Sequence, residues 1–426
     1  MNILIKNILA WLPGAFSTTE TDVYISGGHI ASVGLSPGDF RPDKTIDGTG
    51  RLLIPGLVNA HTHSYMTIFR NCADDLLFND WLFGRILPLE AKLTPDDCYW
   101  GSLLGCMEML STGTTSFLDM YIFPHSIARA VCDCGIRAVL SRGLTGGKDD
   151  KEGGRRRMDE ALSEYRAWKD MDNLGFMLAP HAPYTCDEDY QREIAELSKE
   201  TGLGINLHLA ESDAETAAIA EKYGCTPTEL FDRTGLLTER TVAAHCVKLS
   251  DSDIDILANR KVSVATNPVS NLKLANGVAR VPDLVKAGVN VALGTDGPAS
   301  NNTLNMFRDL SFLTLLRKGI DGNAKAVTAK EGLISATANG ARALGIDAGE
   351  IRPGALADLT IIDLDHLNFL PKNDPLTALA YSANGSEVET TIVGGEILYD
   401  KGKFLTIDRE RVVFEVENIC NKIGMR

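Results

Sequence analysis

The sequence predicts an α/β fold, in which a closed parallel (β/α)8 barrel carries a small β domain made from both chain termini. Over residues 57–348, about eight short apolar runs alternate with longer amphipathic segments such as DEDYQREIAELSKET, as strands and helices do in a barrel. No GxGxxG turn follows the early runs, which argues against the competing doubly wound open sheet. The runs are LVNA, TTSFLD, IRAVLS, GFMLAP, GINLHLA, TVAAH, VSVAT and VNVALGTD.

The two ends of the chain have a different, β-rich texture. Residues 1–56 contain ILIKNILAWL, DVYISGGHIASVG and RLLIPG, each bounded by glycine, proline or aspartate. Residues 349–426 return to this pattern with DLTIIDL, ETTIVGGEILYD and KFLTI, and Gly394 and Gly395 suit a hairpin turn. We therefore expect the two ends to form one β domain beside the barrel.

Composition and charge restrict the class of partner. The 426 residues are 44% hydrophobic and 23% charged, which is ordinary for a globular protein with a large core. The formal net charge of -15 argues against a general nucleic-acid or anionic-membrane surface, because both would repel it. A small-molecule ligand stays open.

The cysteines and the N-terminus indicate a cytoplasmic protein. The cysteines are scattered, odd in number and without a CxxC pair, so we expect buried free thiols in a reducing cytosol. Lys6, Asn7 and Pro13 interrupt the apolar stretch at the N-terminus. No later apolar run reaches the roughly 20 residues that are needed to span a bilayer. The nine are Cys72, Cys98, Cys106, Cys132, Cys134, Cys186, Cys225, Cys246 and Cys420.

The segment TGGKDDKEGGRRR, residues 145–157, interrupts the barrel pattern. Its glycines and charges are typical of an irregular connection on the surface. We expect either a solvated loop or a mobile lid above the site.

Histidines stand at the ends of the predicted barrel strands. His61 and His63 follow LIPGLVNA, and residues two apart in a strand point to the same side. Such a pair alone is weak evidence of a metal site. However, the C-terminal ends of all barrel strands open onto one mouth, where residues far apart in sequence can meet. The other candidates at predicted strand ends are His181, His208, His245 and Asp296.

These residue types predict a metal centre. Three neutral imidazoles and one carboxylate suit Zn²⁺, or Fe²⁺ or Mn²⁺, with a position left for water, whose pKa a metal lowers towards about 7. The predicted ligands are His61, His63, His208 and Asp296.

Glu211 and His245 are the predicted proton-handling residues, together with Asp296. Glu211 lies three residues after His208 in HLAE, where it can reach a bound water and a substrate ring; the alternative is a surface glutamate that opens the next helix. His245 would orient the water or stabilise developing negative charge. A cytidine-deaminase site needs HxE followed by PCxxC. This sequence has HxxE and no PC dipeptide, which excludes a site of that type.

The motifs PGLVNAHTH, HLAES, AAHCV, NPVSNLKL and LGTDGPASNN together resemble the amidohydrolase superfamily. More narrowly, they are similar to its 5-methylthioadenosine/S-adenosylhomocysteine deaminases, which have relatives acting on adenosine and 5′-deoxyadenosine. The resemblance implies a (β/α)8 TIM barrel with a β-sandwich from both termini. It also implies a single metal, because His181 stands where two-metal members carry a carboxylated lysine.

The resemblance further implies substrate contacts. His181 and Glu211 match residues that contact the substrate, and Glu90 in LPLEAKLT matches the carboxylate that binds both ribose hydroxyls. Arg142, and Arg157 of the Arg155–Arg157 run, match residues that reach the 5′ substituent; a solvated charge run is the alternative. Trp81 could pack on the substrate or in the core.

The expected reaction is hydrolytic deamination of the adenine ring of a 5′-substituted adenosine. A guanine deaminase or a triazine-type hydrolase would use the same machinery on a bare ring, and a catalytically silent binding protein is the alternative from another class. Thr266 stands where many relatives have a histidine before NP, so we expect the polar edge of the pocket to differ from theirs. The resemblance also allows a homo-oligomer.

Overall fold

A computed structural model describes residues 1–425 of the chain. No disulfide joins the cysteines of this range. The chain begins with five short strands that precede the barrel. They are β1 (Ile3–Trp11), β2 (Thr18–Ser26), β3 (His29–Val33), β4 (Lys44–Asp47) and β5 (Arg51–Pro55).

The eight predicted apolar runs are eight parallel strands, each paired with its neighbour in sequence order. The first two are buried at every residue, as expected when helices cover the outside and side chains fill the inside. Asn59 of the first strand holds the segment that follows the last strand, because its side-chain amide forms hydrogen bonds with Thr295. The strands are β6 (Leu57–Thr62), β7 (Thr114–Tyr121), β8 (Arg137–Leu144), β9 (Leu174–Pro180), β10 (Gly204–Leu209), β11 (Thr241–His245), β12 (Ser263–Thr266) and β13 (Asn290–Leu293).

Helices follow the barrel strands, and their ends carry the expected capping residues. Asp187 and Ser250 begin two of the predicted helices by accepting backbone N–H groups, and Gly202 ends the first of them with φ +74°. The helices are α1 (Phe78–Trp81), α2 (Leu87–Glu90), α3 (Pro95–Ser111), α4 (Pro124–Cys134), α5 (Lys151–Trp168), α6 (Glu188–Thr201), α7 (Asp213–Tyr223), α8 (Pro227–Thr234), α9 (Asp251–Asn259), α10 (Pro268–Lys273), α11 (Val281–Lys286), α12 (Met306–Asp321), α13 (Ala329–Ser335), α14 (Ala338–Leu344), α15 (Pro375–Tyr381) and α16 (Arg409–Lys422).

Both termini contribute to the second sheet, as predicted. Its order is β17-β16-β15-β14-β5-β1-β2-β3, with β4 also paired to β1. All of these strands belong to one hydrogen-bonded sheet. The sheet surrounds one apolar core, which includes Ile25 and Ile397 from strands that are far apart in the sheet order. Gly394 and Gly395 form the predicted hairpin turn, both with positive φ. The C-terminal strands are β14 (Leu359–Asp363), β15 (Val388–Val393), β16 (Glu396–Asp400) and β17 (Lys403–Phe404).

The prediction that residues 145–157 are irregular throughout is wrong. Helix α5 begins at Lys151, so its first two turns include Gly153, Gly154 and the arginines. The reason is a close contact, because a Cβ atom on Gly154 would lie 2.9 Å from the ring of Tyr190. The Tyr190 hydroxyl also donates to the carbonyl oxygen of Gly154 at 2.9 Å. Gly154 therefore serves helix packing, and only the residues before Lys151 form a connection.

Among residues 1–425, no helix has both the length and the apolar composition needed to cross a membrane.

Candidate metal centre

The strand ends bring the predicted histidines and Asp296 to one place. The ring centroid of His61 lies 5.1 Å from that of His63, 4.9 Å from that of His208 and 5.5 Å from that of His245. His181 adjoins them, with its ring centroid 4.8 Å from that of His208. The clustering follows from the fold, since each residue ends or follows a parallel strand of the same barrel.

Possible ligand atoms form two groups that share His61. Within each group, the ligand atoms all lie within 4.8 Å of one another. One group joins His61 to His208 and His245, and the other joins it to His63 and Asp296. The Oδ1 atom of Asp296 lies 3.6 Å from Nε2 of His61 and 3.4 Å from Nε2 of His63. The four predicted ligands thus lie together, with His245 beside them.

Backbone carbonyl groups orient two of the imidazoles. Nδ1 of His63 donates to the carbonyl oxygen of Met120, and Nδ1 of His208 donates to that of His181, both at 2.8 Å. Because a carbonyl oxygen can only accept, each Nδ1 carries a hydrogen, and the lone pair of the neutral form of each ring lies on Nε2. This is the arrangement that commonly fixes histidine ligands of a metal.

His61 is the residue that most clearly fits a metal ligand. Its side chain is fully buried, and neither ring nitrogen has a hydrogen-bond partner within the described chain. Burial lowers the pKa of His61 to about 4 and takes the pKa of His208 well below its ordinary value. Both rings are therefore neutral at pH 7, which is the form that binds a metal. A divalent ion would give one of these two unpartnered nitrogens a ligand bond.

Asp296 is held rigidly beside these rings. Its Oδ2 atom accepts hydrogen bonds from the hydroxyls of Ser270 at 2.6 Å and Ser300 at 2.7 Å. Burial alone would favour the neutral acid, but the neighbouring histidines, His61 first, outweigh it and hold the pKa of Asp296 well below its usual value. The residue has φ +63°, a left-handed backbone that non-glycine residues adopt mainly where surrounding structure imposes it. Asp296 is thus a fixed carboxylate.

Glu211 is buried in the site, so it is not the surface glutamate of the alternative interpretation. Its Oε2 atom lies 3.8 Å from Nε2 of His245, and its Oε1 accepts a hydrogen bond from Asn276 at 2.9 Å. Burial raises the pKa of Glu211 above its ordinary value. Nδ1 of His245 donates to Oδ1 of Asn271 at 2.9 Å, so Nε2 of the neutral ring can accept a proton. Burial opposes a charge on His245, but Glu211 and Asp296 outweigh it and raise its pKa.

A cavity of about 340 Å³ opens above the cluster, a volume within the range of small-molecule sites. Trp81 is buried, donates to the carbonyl oxygen of Ala299 at 3.2 Å and lines the cavity. Thr266 does not line this cavity. The polar lining includes Glu90, Arg142, Arg157, His181 and Glu211, and the apolar lining includes Met66, Phe78, Leu82, Phe83, Leu87 and Ile122.

Of the three consecutive arginines, Arg157 is the one that lines the cavity. It pairs with Asp150 at 2.7 Å and donates to the carbonyl oxygen of Thr145 at 2.9 Å. Arg155 lies along a separate surface groove, and Arg156 is exposed.

Arg142 and Glu90 are also held by neighbours. The Arg142 guanidinium contacts Glu160 at 3.1 Å. The hydroxyl of Tyr65 donates to Oε1 of Glu90 at 2.5 Å, and no side chain or backbone group of residues 1–425 donates a hydrogen bond to Oε2. Burial raises the pKa of Glu90.

Several residues of the site were not predicted from the sequence. Tyr65 and Asn276 are neutral polar residues without a spacing that marks a ligand. Ser270 and Asn271 lie in NPVSNLKL and Ser300 lies in LGTDGPASNN, motifs that supported the resemblance, but these three residues received no role. Their position in a motif was the one available signal.

The chain is similar to known proteins over nearly its whole length. Residues 52–398 match the model of the amidohydrolase family. The chain is 45% identical over 422 residues to a 5-methylthioadenosine/S-adenosylhomocysteine deaminase of Caldanaerobacter subterraneus subsp. tengcongensis, covering 98% of this chain and 97% of that protein. It is 46% identical over 398 residues to a 5′-deoxyadenosine deaminase of Methanothermobacter thermautotrophicus, with 92% of each covered.

A solved structure of an adenosine deaminase from Xanthomonas campestris with bound zinc is also similar. It matches with a TM-score of 0.95 and 33% identity, covering 100% of this chain and 99% of the other.

Proposed function

The chain belongs to the amidohydrolase family, and from this premise we propose that it is a zinc-dependent deaminase of 5′-substituted adenosines. The substrates would be 5-methylthioadenosine, S-adenosylhomocysteine, 5′-deoxyadenosine or adenosine, and the products the inosine compound and ammonia. One observation carries the proposal: a single cavity is lined both by the histidine–aspartate cluster with Glu211 and by Glu90, Arg142 and Arg157. The names of the similar proteins support it.

The donor set fits one divalent metal ion. His61, His63, His208 and Asp296 would hold it, since they supply three imidazoles and one carboxylate. When bound, the ion supplies the Lewis acidity that makes water a nucleophile at neutral pH. We propose Zn²⁺ because it suits these ligands and is the ion named with the similar adenosine deaminase.

The protein's own groups then move the protons. Glu211, buried and with a raised pKa, donates a proton to a ring nitrogen, which makes the amine-bearing carbon more electrophilic. As water adds to that carbon, one of its two protons passes to the pair formed by Nε2 of His245 and the carboxylate of Asp296. That proton is delivered to the amine, the carbon–nitrogen bond breaks, and ammonia leaves. The proton that remains on the added oxygen returns to the Glu211 carboxylate, so that the keto product forms and each protein group regains its starting state. Substrate and water thus give the inosine compound and ammonia.

Substrate binding is assigned to the remaining polar lining. Because Tyr65 occupies Oε1 of Glu90, Oε2 can accept from the ribose hydroxyls. Arg142 and Arg157 would contact the 5′ substituent, and His181 would contact the adenosine. Trp81 would pack against it.

The test is a panel assay with zinc-loaded protein. Methylthioadenosine, S-adenosylhomocysteine, 5′-deoxyadenosine and adenosine are compared by kcat/KM for ammonia release, with guanine and a chlorotriazine as bare-ring substrates. We expect at least one nucleoside to exceed both bare rings. Turnover of a bare ring alone would overturn the proposal in favour of a guanine deaminase or triazine hydrolase, and turnover of none would favour a binding protein. Light scattering on the same sample shows whether the chain forms the homo-oligomer that the resemblance allows.

A further inference from the structure

Residues 270–276, here called the 270–276 segment, comprise the end of α10 and the turn after it. The segment contacts each group to which the proposed reaction assigns a proton. Ser270 donates to Asp296 at 2.6 Å, Asn271 accepts from His245 at 2.9 Å, and Asn276 donates to Glu211 at 2.9 Å.

Asn276 is fixed in the protein and lies outside the cavity lining. Its side chain is buried, and its backbone N–H donates to the carbonyl oxygen of Asn271 at 2.8 Å. Its Nδ2 atom is the donor to Oε1 of Glu211, and it does not line the cavity. Its contact with the site is therefore through Glu211.

Glu211 is held at both ends. Its backbone N–H donates to Oε2 of the buried Glu215 at 2.9 Å, while Asn276 binds one oxygen of its carboxylate. The terminal torsion of a glutamate is broad and nearly two-fold, so the backbone bond alone does not decide which oxygen faces the cavity. The amide donor makes the two oxygens unequal.

We propose that Asn276 is a positioning residue, which occupies Oε1 of Glu211 and leaves Oε2 to exchange a proton with the substrate ring. Oε2 is the oxygen that lies 3.8 Å from Nε2 of His245, so it faces the other proton-handling group. This role rests on the proposed function, because the reaction of Glu211 belongs to it.

Asn276→Leu is the principal test, because leucine has a similar size and no donor. Loss of a hydrogen bond to a charged group predicts a fall in kcat of roughly 10- to 100-fold. KM should stay within about twofold, since Asn276 does not touch the cavity. Asn173→Leu is the matched control, because Asn173 donates to the carbonyl oxygen of Ile136 away from the site and its loss should leave kcat unchanged.

A double-mutant cycle with Glu211→Gln separates positioning from general damage. If Asn276 acts through Glu211, Asn276→Leu causes no further loss of kcat in the Glu211→Gln background. The same fold loss in both backgrounds, or a rise in KM with kcat unchanged, would overturn the proposal.

A titration gives a readout that does not depend on turnover. Difference infrared spectra against Glu211→Gln report the pKa of the Glu211 carboxyl, which should rise in Asn276→Leu because the ionised form loses a donor. An unchanged pKa contradicts the inference. If the wild-type protein releases no ammonia but this pKa shift occurs, the proposed function is wrong, and the contact between Asn276 and Glu211 is still supported.

Discussion

The backbone N–H of Asp296 donates to the carbonyl oxygen of His61 at 2.9 Å. This bond joins the loop after the last barrel strand to the first strand, so the seam of the barrel passes through two of the proposed metal ligands. Metal binding should therefore stabilise the fold as well as the site, because an ion held by both residues bridges the seam.

Removal of a proposed ligand should remove the metal. We expect His61→Ala and Asp296→Ala to purify without stoichiometric metal and to show no rise in Tm when zinc is added, whereas the wild-type protein gains Tm. The measurement is elemental analysis with thermal unfolding. His29→Ala is the control, since His29 is exposed and its ring contacts Gly27 of its own turn. Full metal content in both ligand variants would rule out this ligand set.

Glu90 should discriminate nucleosides from free bases. Glu90→Ala removes the oxygens proposed for the ribose diol, so KM for nucleosides should rise by roughly tenfold or more, while turnover of free adenine, if measurable, stays unchanged. Steady-state kinetics with adenosine and adenine check this. Glu239→Ala is the control, because Glu239 is exposed. An equal effect on both substrates would mean that Glu90 serves the cavity structure and not the ribose.

The buried Glu164 should make stability depend on pH. Burial raises its pKa from 4.5 to about 8, and its Oε1 has no hydrogen-bond partner within residues 1–425. The folded state therefore favours the protonated acid. Its contribution to stability is fully present below pH 4.5 and is lost as the pH rises towards about 8.

Glu164→Gln tests this linkage. The variant should gain stability relative to the wild-type protein as the pH is raised from 5 to 8, as measured by urea unfolding. Glu196→Gln is the control, because Glu196 is exposed and pairs with Lys199. A stability difference that is the same at both pH values would contradict the assignment to Glu164.

The strand-end residues could be predicted because the fold itself brings them together. Once His208 and His245 are placed at the ends of parallel barrel strands, their convergence follows from topology. The boundaries at residues 56 and 348 stay predictions. Only Gly56 separates β5 of the sheet from β6 of the barrel, and the connection from α14 to β14 spans the second boundary.

Other features depend on contacts that no local pattern encodes. Gly153 and Gly154 indicated a loop because glycine disfavours helices, but the close approach of Tyr190 requires glycine within α5. Asn276 and Glu211 are 65 residues apart in the sequence, and the turn after α10 brings them into contact. Neutral polar side chains of this kind have no spacing that distinguishes a positioning contact from a surface residue.

The most direct test of the central claim is a zinc titration of the metal-free protein, with ammonia release from the best nucleoside substrate as the readout. We predict no turnover without metal and a linear rise that ends at one zinc ion per chain. Full turnover by the metal-free protein, or a rise that ends only at two ions per chain, would contradict a single-metal deaminase.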